Sequence, residues 1–299
     1  MSYPLVSVVI ATYRRTRTLE RAIGSLADQT YPEFEVIVVD DNADEEWNSA
    51  VSDIVRGISG KYPYLSVTLI TNPVNKGSAE TRNVGIRASN GEYVTFLDDD
   101  DVYLPEKIQH QLSGMLESGA DYSITDMFLY NEDDRLCDRR VRNYIEKNDN
   151  KSLLKYHLMH HLTGTDTMML RHDYLDKIGG FPPINVGDEF YLMYEAINGG
   201  GKFVYLPGCF VKAYVHGEDG GLSSGQSKVD GENALYNFKK ARFDLIDRKA
   251  VRFIRMRHYA VLSFVEARKK HYFKFLKYSL WSFVSSPVNC LKLLSGEGR

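Results

Sequence analysis

The chain contains 299 residues, of which 43% are hydrophobic and 26% are charged, and it has three cysteines. This composition excludes disordered chains, collagen-like repeats and disulfide scaffolds, and it predicts a globular protein of one or two domains. The odd number of widely spaced cysteines favours a reducing, cytoplasmic environment. The first residues lack the features of a signal peptide, and no apolar run reaches the ~20 residues of a membrane-spanning helix. We therefore expect a protein that is not integral to a membrane.

The formal net charge of −3 conceals an uneven distribution of charge. Residues 238–299 carry 15 Lys+Arg and 4 Asp+Glu, a balance of +11, which leaves −14 for residues 1–237. An acidic body argues against a nucleic-acid-binding surface on the main domain. A basic segment rich in Phe, Tyr and Trp indicates instead an anionic surface as its partner.

Strand and helix patterns alternate over the first hundred residues. The apolar run Val6–Ala11 predicts a buried parallel strand, and Leu19, Ile23 and Leu26 then recur at helical spacing. Further strands are predicted at Phe34–Val39, Leu65–Thr71 and Tyr93–Leu97, with helices at Arg17–Ala27, Glu45–Ile58 and Ala79–Ala88. This alternation predicts an α/β fold with a doubly wound, mostly parallel sheet and helices on both faces. Such sheets bind ligands at the carboxyl ends of their strands.

The later part of the chain has four predicted features before it becomes helical. They are a helix over Glu106–Ser118, a strand near Tyr122–Thr125, an exposed charged loop over Asn131–Arg142 and a mobile Gly- and Ser-rich loop over Gly217–Gly225. Residues 231–294 are predicted to be mainly helical. We therefore expect an α/β domain over residues 1–225 and a basic, aromatic, helical C-terminal region over residues 226–299.

Polar side chains follow each of the four predicted parallel strands. These side chains are Thr12 and Tyr13 after the first, Asp40 to Asn42 after the second, Thr71 to Pro73 after the third, and Asp98 to Asp101 after the fourth. The turn after the first strand lacks the Gly-x-Gly-x-x-Gly pattern, which disfavours a nicotinamide dinucleotide site. The sequence therefore predicts a different acidic and polar site at this edge of the sheet.

Four consecutive aspartates, Asp98 to Asp101, are the most acidic feature of this edge. Adjacent carboxylates repel one another, and burying them unpaired is costly, so a divalent cation is the expected neutralising partner. Oxygen ligands favour Mn²⁺ or Mg²⁺, which would bridge the protein to a diphosphate. The alternative is an acidic surface turn that caps the helix near Pro105.

Four ordered segments together resemble the family 2 glycosyltransferases. They are Ser7–Tyr13, Val38–Asn42, Asn75–Ile86 and Gly91–Asp101. The resemblance extends over residues 5 to about 225 and implies the GT-A fold, with a nucleotide-sugar-binding and catalytic domain. It further implies an inverting transfer of a sugar from a nucleoside diphosphate donor, a UDP-sugar, to a hydroxyl of a glycan or a lipid-linked acceptor, as in polysaccharide biosynthesis.

The resemblance also implies roles for matching residues. Tyr13 would stack on the base, and Asp41 would accept a hydrogen bond from a ring N–H. The residues implied to line the nucleotide-sugar site are Thr12, Tyr13, Arg14, Asp41, Arg82, Asn83, Asp98 and Asp99. Asp98 and Asp100 would hold the metal, with Asp100 the direct ligand. His216, ahead of the Gly- and Ser-rich loop, would be a further metal or diphosphate ligand.

A sugar transfer of this kind also needs a base. The acceptor hydroxyl must lose its proton as it attacks the anomeric carbon, and a carboxylate beside the sugar can take it. The resemblance places an acidic pair after Gly179-Gly180-Phe181, which assigns the base to Asp188 with Glu189 as the second candidate. The alternative for Asp188 is an acidic residue that only begins a helix.

Structural interpretations of the other candidates remain open at this point. Tyr13 would then be a core aromatic, Asp41 the N-cap of the helix at Glu45, and Arg82 and His216 surface residues. The closely spaced His157, His160 and His161 lack a Cys or carboxylate to complete a metal site, which favours helix packing or an acceptor cleft.

The function of the C-terminal region also has two interpretations. A basic, aromatic, amphipathic helix can lie on an anionic bilayer, here the inner face of the cell membrane. It can equally pack as a helical hairpin against the catalytic domain or a second subunit of a homo-oligomer.

Two alternatives to a transferase are a sugar-phosphate nucleotidyltransferase, which usually has a Gly-rich loop after its first strand, and a catalytically silent binding subunit.

Overall fold

A computed structural model describes residues 3–184, 187–215 and 225–295. The strands are β1 (Val6–Thr12), β2 (Phe34–Asp40), β3 (Ser66–Thr71), β4 (Tyr93–Phe96), β5 (Val102–Tyr103), β6 (Tyr122–Tyr130), β7 (Leu136–Arg140), β8 (Met168–Arg171) and β9 (Phe203–Tyr214). The helices are α1 (Arg17–Leu26), α2 (Glu45–Lys61), α3 (Ser78–Ala88), α4 (Lys107–Ser118), α5 (Asn150–His160), α6 (His172–Ile178), α7 (Asp188–Asn198), α8 (Gly225–Lys240), α9 (Arg248–Arg268), α10 (Tyr272–Ser285) and α11 (Pro287–Ser295). His216 and most of the predicted mobile loop, residues 217–224, lie outside the described residues.

The described residues form two compact units. The first unit contains the residues up to Leu154 and the segment Leu162–Val215, and it holds the whole sheet. The second unit contains Lys155–His161 and the helices α8 to α11. The helical character predicted for residues 231–294 is confirmed.

The sheet of the first unit combines a parallel part with a mixed part. Its strand order is β3-β2-β1-β4-β8-β6-β9-β5, with β7 paired to β6. The four strands from β3 to β4 are mutually parallel, as the alternating pattern predicts. Beyond β4, the strand β8 runs antiparallel to both β4 and β6, whereas β9 runs parallel to β6. The α/β class is confirmed, and the antiparallel insertion of β8 is the main addition to it.

The register of the parallel strands collects their polar ends at one edge. Thr12 pairs with Asp40, and Asp40 pairs with Thr71. Helix α3 packs closely behind this edge, because a Cβ added to Gly85 would lie only 2.4 Å from Cγ1 of Val9. Arg82 lies one turn before Gly85 on the same helix face, so the close packing places its side chain at the edge.

The exposed loop predicted over Asn131–Arg142 is only partly correct. Residues Leu136–Arg140 form β7 on the end of β6, although their side chains are exposed as expected. Arg142 is buried, where its guanidinium donates to the carbonyl oxygens of Leu162 and Thr125 and lies near the Asp126 carboxylate. A charged residue can be buried when acceptors surround it in this way.

The second unit is helical, and α9 contributes buried apolar side chains to it. The buried residues of α9 include Ala250, Ile254, Met256 and Ala260. None of the helices in the described part of the chain combines the length and the hydropathy that a membrane span requires.

Candidate active site

Arg82 joins the loop after β4 to the start of α7. Its Nη2 donates to Oδ1 of Asp98 and its Nη1 donates to Oδ2 of Asp188, each at 2.6 Å. Burial lowers the pKa of this guanidinium, but the two carboxylates more than offset that effect and hold the pKa above its ordinary value. Arg82 is therefore a largely buried cation between two acids, and the alternative of a solvated surface residue is wrong.

Asp188 lies in the first turn of α7 and is almost fully buried. Its Oδ2 accepts hydrogen bonds from Ser78 Oγ at 2.9 Å and from Arg82, and its Oδ1 accepts one from the Glu189 amide at 3.0 Å. Burial raises the pKa of Asp188 to about 6, the Arg82 cation opposes this rise, and the Glu189 carboxylate adds to it. Asp188 begins a helix, as the simpler interpretation supposes, but it also contacts the acidic loop through Arg82.

Asp99 and Asp100 contact donors from the end of β1, from the turn after it and from α1. Thr12 Oγ1 donates to Asp99 Oδ2 at 2.7 Å, and burial raises the pKa of Asp99 to about 6 despite the nearby Arg15 cation. The Asp100 carboxylate pairs with the Arg15 guanidinium, and the Asp100 carbonyl accepts from Arg21 Nη2 at 2.6 Å. Arginine side chains thus offset part of the negative charge of the aspartate run.

Three carboxylates form a group that could hold a metal ion. One oxygen each from Asp98, Asp101 and Asp166 lies within 4.8 Å of the others, and among the residues that the structure describes this is the one such group of three. Asp166 Oδ1 accepts from the Asp98 amide at 2.5 Å, and the side chains of Asp101 and Asp166 are hydrogen-bonded to each other. Burial raises the pKa of Asp166 to about 7. Oxygen donors at this spacing suit a hard divalent cation.

This group differs from the metal ligands expected from the sequence. Asp98 belongs to both sets, but Asp100 is outside the group because its carboxylate is paired with Arg15. The aspartate run indicated Asp101 only in general terms. Asp166 lies in a Thr-rich turn 68 residues after Asp98, and no sequence pattern indicated it.

Tyr13 and Arg14 lie on the exposed side of the turn after β1. The Tyr13 side chain is 46% exposed, so the alternative of a core aromatic is wrong. The Arg14 guanidinium lies 5.3 Å from the centre of the Tyr13 ring. Arg14 has a φ of +52°, and its amide donates to Asn42 Oδ1 at 2.6 Å, which holds this unusual backbone conformation.

Asp41 is buried and organises the loop that leads into α3. Its Oδ1 accepts from Asn72 Nδ2 and from the Lys76 amide, both at 2.8 Å, and its Oδ2 accepts from the Gly77 amide at 2.9 Å. Asp44, and not Asp41, is the N-cap of α2. An open cleft of about 520 Å³ adjoins Asn72, and its lining includes the acidic Asp44 and Glu45.

Asn83 contacts the backbone of the loop before α7. The Phe181 amide donates to Asn83 Oδ1 at 2.9 Å, and Asn83 Nδ2 donates to the Phe181 carbonyl at 2.8 Å. Gly180 has a φ of +69°, and an added Cβ there would lie 2.6 Å from Asn83 Oδ1, so the contact requires glycine. In this structure Asn83 therefore fixes the turn that precedes Asp188.

The histidines of α5 do not join a metal-binding group in the described residues. His160 lies against Phe253, with 5.0 Å between the ring centres. Burial, with the nearby Arg257 and Lys239 cations, lowers the pKa of His160 to about 4. These observations agree with helix packing for His160.

Comparison with solved structures identifies similar folds. A crystal structure of S. aureus TarS 1–349 in complex with UDP-GlcNAc has a TM-score of 0.61 and 19% sequence identity, and the match covers 95% of this chain and 82% of that one. At this identity the likeness concerns the fold, which is the GT-A fold expected from the sequence.

Curated relatives match shorter parts of the chain. The Escherichia coli UDP-Glc:alpha-D-GlcNAc-diphosphoundecaprenol beta-1,3-glucosyltransferase WfgD is 30% identical over 118 residues, which cover 40% of this chain and 44% of that protein. TuaG of Bacillus subtilis, named as a teichuronic acid biosynthesis glycosyltransferase, is 31% identical over 140 residues, 46% of this chain and 52% of TuaG. The chain thus spans about half the length of these relatives. The profile of glycosyl transferase family 2 matches residues 7–179, more than half of the chain, and the chain therefore belongs to this family.

Proposed function

We propose that this protein transfers a sugar from a nucleoside diphosphate donor, a UDP-sugar, to a hydroxyl of an acceptor, with inversion at the anomeric carbon. The observation that carries the proposal is the double contact of Arg82, which connects the acidic loop at Asp98 to the candidate base Asp188. Family membership supports the reaction class, and the TarS complex with UDP-GlcNAc supports a UDP-sugar as donor.

We assign binding of the nucleoside to the turns after β1 and β2. The half-exposed Tyr13 ring offers a stacking surface for the base. Asp41 Oδ2 accepts one hydrogen bond, from Gly77, and retains a lone pair for a ring N–H. Thr12 and Asp99 hold each other beside the ribose, while Arg14 borders the base. Asn83 acts at one remove, because it positions the turn before Asp188.

The acidic loop fits a divalent cation, Mn²⁺ or Mg²⁺. Asp98, Asp101 and Asp166 would hold it in the arrangement seen here, and Asp100 and His216 remain predicted ligands. A cation held there would supply positive charge for the departing diphosphate. Arg15 places a positive charge beside the same loop, in addition to that of the proposed cation. We propose that it contacts the diphosphate.

Asp188 acts as the general base in this proposal. The acceptor oxygen forms a bond to the anomeric carbon, and the bond from that carbon to the diphosphate oxygen breaks, with its electron pair leaving on the nucleoside diphosphate. The hydroxyl proton passes to Oδ1 of Asp188, since Oδ2 is held by Ser78 and Arg82. Glu189 is the second candidate for this role.

The acceptor proposed is a glycan or a lipid-linked sugar of a cell-surface polysaccharide. The name of WfgD includes a diphosphoundecaprenol-linked acceptor, and that of TuaG refers to teichuronic acid biosynthesis. Transfer to such an acceptor would take place in the cytoplasm, at the inner face of the cell membrane. A nucleotidyltransferase is a weaker candidate, because Arg14 and Arg15 occupy the position of its Gly-rich loop.

A panel of nucleoside diphosphate sugars tests the proposal. Purified protein with Mn²⁺ is incubated with each donor and with short glycan or lipid-diphosphate acceptors, and released UDP is measured. We expect release from at least one UDP-sugar that increases with acceptor and stops in EDTA. A protein that binds UDP but releases none from any UDP-sugar would be a silent subunit. Formation of a sugar nucleotide from UTP and a sugar phosphate would identify a nucleotidyltransferase.

A further inference from the structure

Helix α10 places two serines against α9 and exposes a stripe of apolar side chains. Ser282 is buried and its Oγ donates to the Met256 carbonyl of α9 at 2.9 Å, while the Oγ atoms of Ser279 and Ser263 lie 2.7 Å apart. The opposite face of the helix exposes Phe273 (83%), Leu276 (64%), Leu280 (60%) and Val284 (65%). These positions repeat with helical spacing and form one stripe. A helix in contact only with water has the reverse arrangement.

Helix α11 also exposes apolar side chains. Cys290 is buried, whereas Val288, Leu291 and Leu294 are exposed at intervals of three residues. We call the seven exposed side chains of the two helices the C-terminal apolar face: Phe273, Leu276, Leu280, Val284, Val288, Leu291 and Leu294. Exposed apolar stripes of this kind mark a binding surface for a protein or a membrane.

The charged residues of the segment that carries the C-terminal apolar face are all basic, and Glu266, which precedes this segment, is paired with His271. The segment from Arg268 to Ser295 contains six Lys+Arg and no Asp or Glu. Lys274 and Lys277 lie on α10 beside the apolar stripe, and Lys277 Nζ is 4.6 Å from the centre of the Trp281 ring. Aromatic and basic side chains around an apolar stripe are typical of helices that lie in a membrane interface.

This charge pattern argues against a second copy as the partner. A two-fold contact places the same surface on both sides, so the lysines of one copy would meet a surface that is equally basic. Protein interfaces are moreover depleted in lysine. Anionic lipid headgroups supply the opposite charge, and the acyl boundary accepts the apolar side chains. We propose that α10 and α11 bind an anionic bilayer through the C-terminal apolar face, with the lysines at the level of the lipid phosphates.

Vesicle co-sedimentation of the full chain tests this proposal. We expect binding to phosphatidylglycerol vesicles that is about tenfold weaker for phosphatidylcholine vesicles and weakens with added salt. The double variant Leu276→Ser, Leu280→Ser should lose about tenfold or more of the phosphatidylglycerol affinity. The matched control is Tyr64→Ser, which changes an exposed apolar residue of the first unit and should bind as the wild type does. Thermal melting by circular dichroism verifies that both variants fold.

A spectroscopic measurement locates the bound surface. In a Trp47→Phe background, Trp281 is the one remaining tryptophan, and its emission should shift to shorter wavelength on phosphatidylglycerol vesicles. Equal binding to both lipids, unchanged binding of the double variant, or an unchanged Trp281 emission would each overturn the proposal. So would a dimer in sedimentation equilibrium that the same double variant dissociates. None of these assays includes a donor or an acceptor sugar, so their failure would leave the proposed transfer intact.

Discussion

The acidic edge of the sheet and the C-terminal apolar face differ in which side chains they bury and which they expose. At the acidic edge, buried and partly buried charged groups are paired with each other: Arg82 lies between Asp98 and Asp188, and Arg15 pairs with Asp100. On α10, serines lie inside and apolar side chains face outward. The first arrangement suits a small charged ligand, which can take the place of one of the paired side chains. The second is completed only by an extended apolar surface.

The two regions should therefore be separable by mutation. Changes at the acidic edge are expected to alter chemistry, donor binding or the stability of the first unit. Changes on the C-terminal apolar face are expected to alter vesicle binding and leave the chemistry intact.

Replacing the candidate base has the largest expected effect. Asp188→Asn keeps the shape of the side chain but cannot take a proton, so kcat for transfer should fall by about 10²- to 10⁴-fold. UDP affinity, measured by calorimetry, should change little. Asp173→Asn is the matched control, because Asp173 also begins a helix beside an arginine but is exposed. Transfer by Asp188→Asn at the wild-type rate would refute the assignment, and a large loss in Glu189→Gln alone would move the role to Glu189.

Removing the Arg82 cation should mainly lower stability. Arg82→Gln leaves the buried Asp188 and the partly exposed Asp98 without their shared partner, so the free energy of unfolding should fall by about 3 kcal/mol. Urea denaturation measures this change. Arg87→Gln, on the same helix, removes an exposed ion pair with Glu80 and should cost less than about 1 kcal/mol. Equal effects of the two substitutions would show that the ion pairs of Arg82 stabilise the protein no more than an exposed ion pair does.

Lys107 is a buried amine whose hydrogen-bond partner is a hydroxyl and not a carboxylate. Its Nζ donates to Thr95 Oγ1 at 2.9 Å and lies 4.4 Å from the centre of the Tyr103 ring. Burial lowers the pKa of Lys107 to about 7, while the Asp166 carboxylate opposes the shift. The unfolded chain, with a lysine pKa of about 10.4, then binds more protons than the folded protein above pH 7.

The stability of the folded protein should consequently rise with pH in this window. Lys107 alone should add about 2 kcal/mol to the free energy of unfolding between pH 7 and pH 9. Lys107→Met should remove that part of the rise, which urea denaturation of both proteins at the two pH values can measure. Parallel pH profiles for the two proteins would contradict the lowered pKa.

Removing the Tyr13 ring should weaken donor binding. Stacking on an aromatic side chain contributes about 1–3 kcal/mol per base, so Tyr13→Ala should reduce UDP affinity by about tenfold or more. Calorimetric titration of UDP measures the change. Tyr64→Ala removes a similarly exposed ring elsewhere in the first unit and should leave the affinity unchanged. Equal affinities for Tyr13→Ala and the wild type would exclude stacking on Tyr13.

The smallest expected effect on chemistry comes from the C-terminal apolar face. Leu276→Ser, Leu280→Ser should transfer sugar to a water-soluble acceptor within about twofold of the wild-type rate, because neither side chain belongs to the first unit. A fall in rate larger than tenfold with the soluble acceptor would show that the two regions are not independent. The UDP-release assay provides this comparison.

The parallel half of the fold was predictable because its signals are local. Continuous apolar runs such as Val6–Ala11 are typical of strands buried on both faces, and the polar residues after them mark a shared edge. Asp166 reaches that edge only because β8 inserts antiparallel between β4 and β6. A strand pairing of this kind leaves no periodic signal, so neither Asp166 nor the bond from Asn83 to Phe181 was accessible from the sequence. The sequence likewise did not indicate which face of α10 is exposed, because that depends on the contacts of its serines with α9.

The most direct test of the nucleotide-sugar site is a calorimetric titration of UDP into the wild type and Asp98→Asn, each with Mn²⁺ and with EDTA. Asp98 is the residue shared by the predicted metal ligands and the observed carboxylate group. We predict that Mn²⁺ strengthens UDP binding to the wild type by at least about tenfold and that Asp98→Asn binds UDP weakly under both conditions. Wild-type affinity that is the same with Mn²⁺ and EDTA, or unchanged in Asp98→Asn, would contradict a metal-assisted donor site at this edge of the sheet.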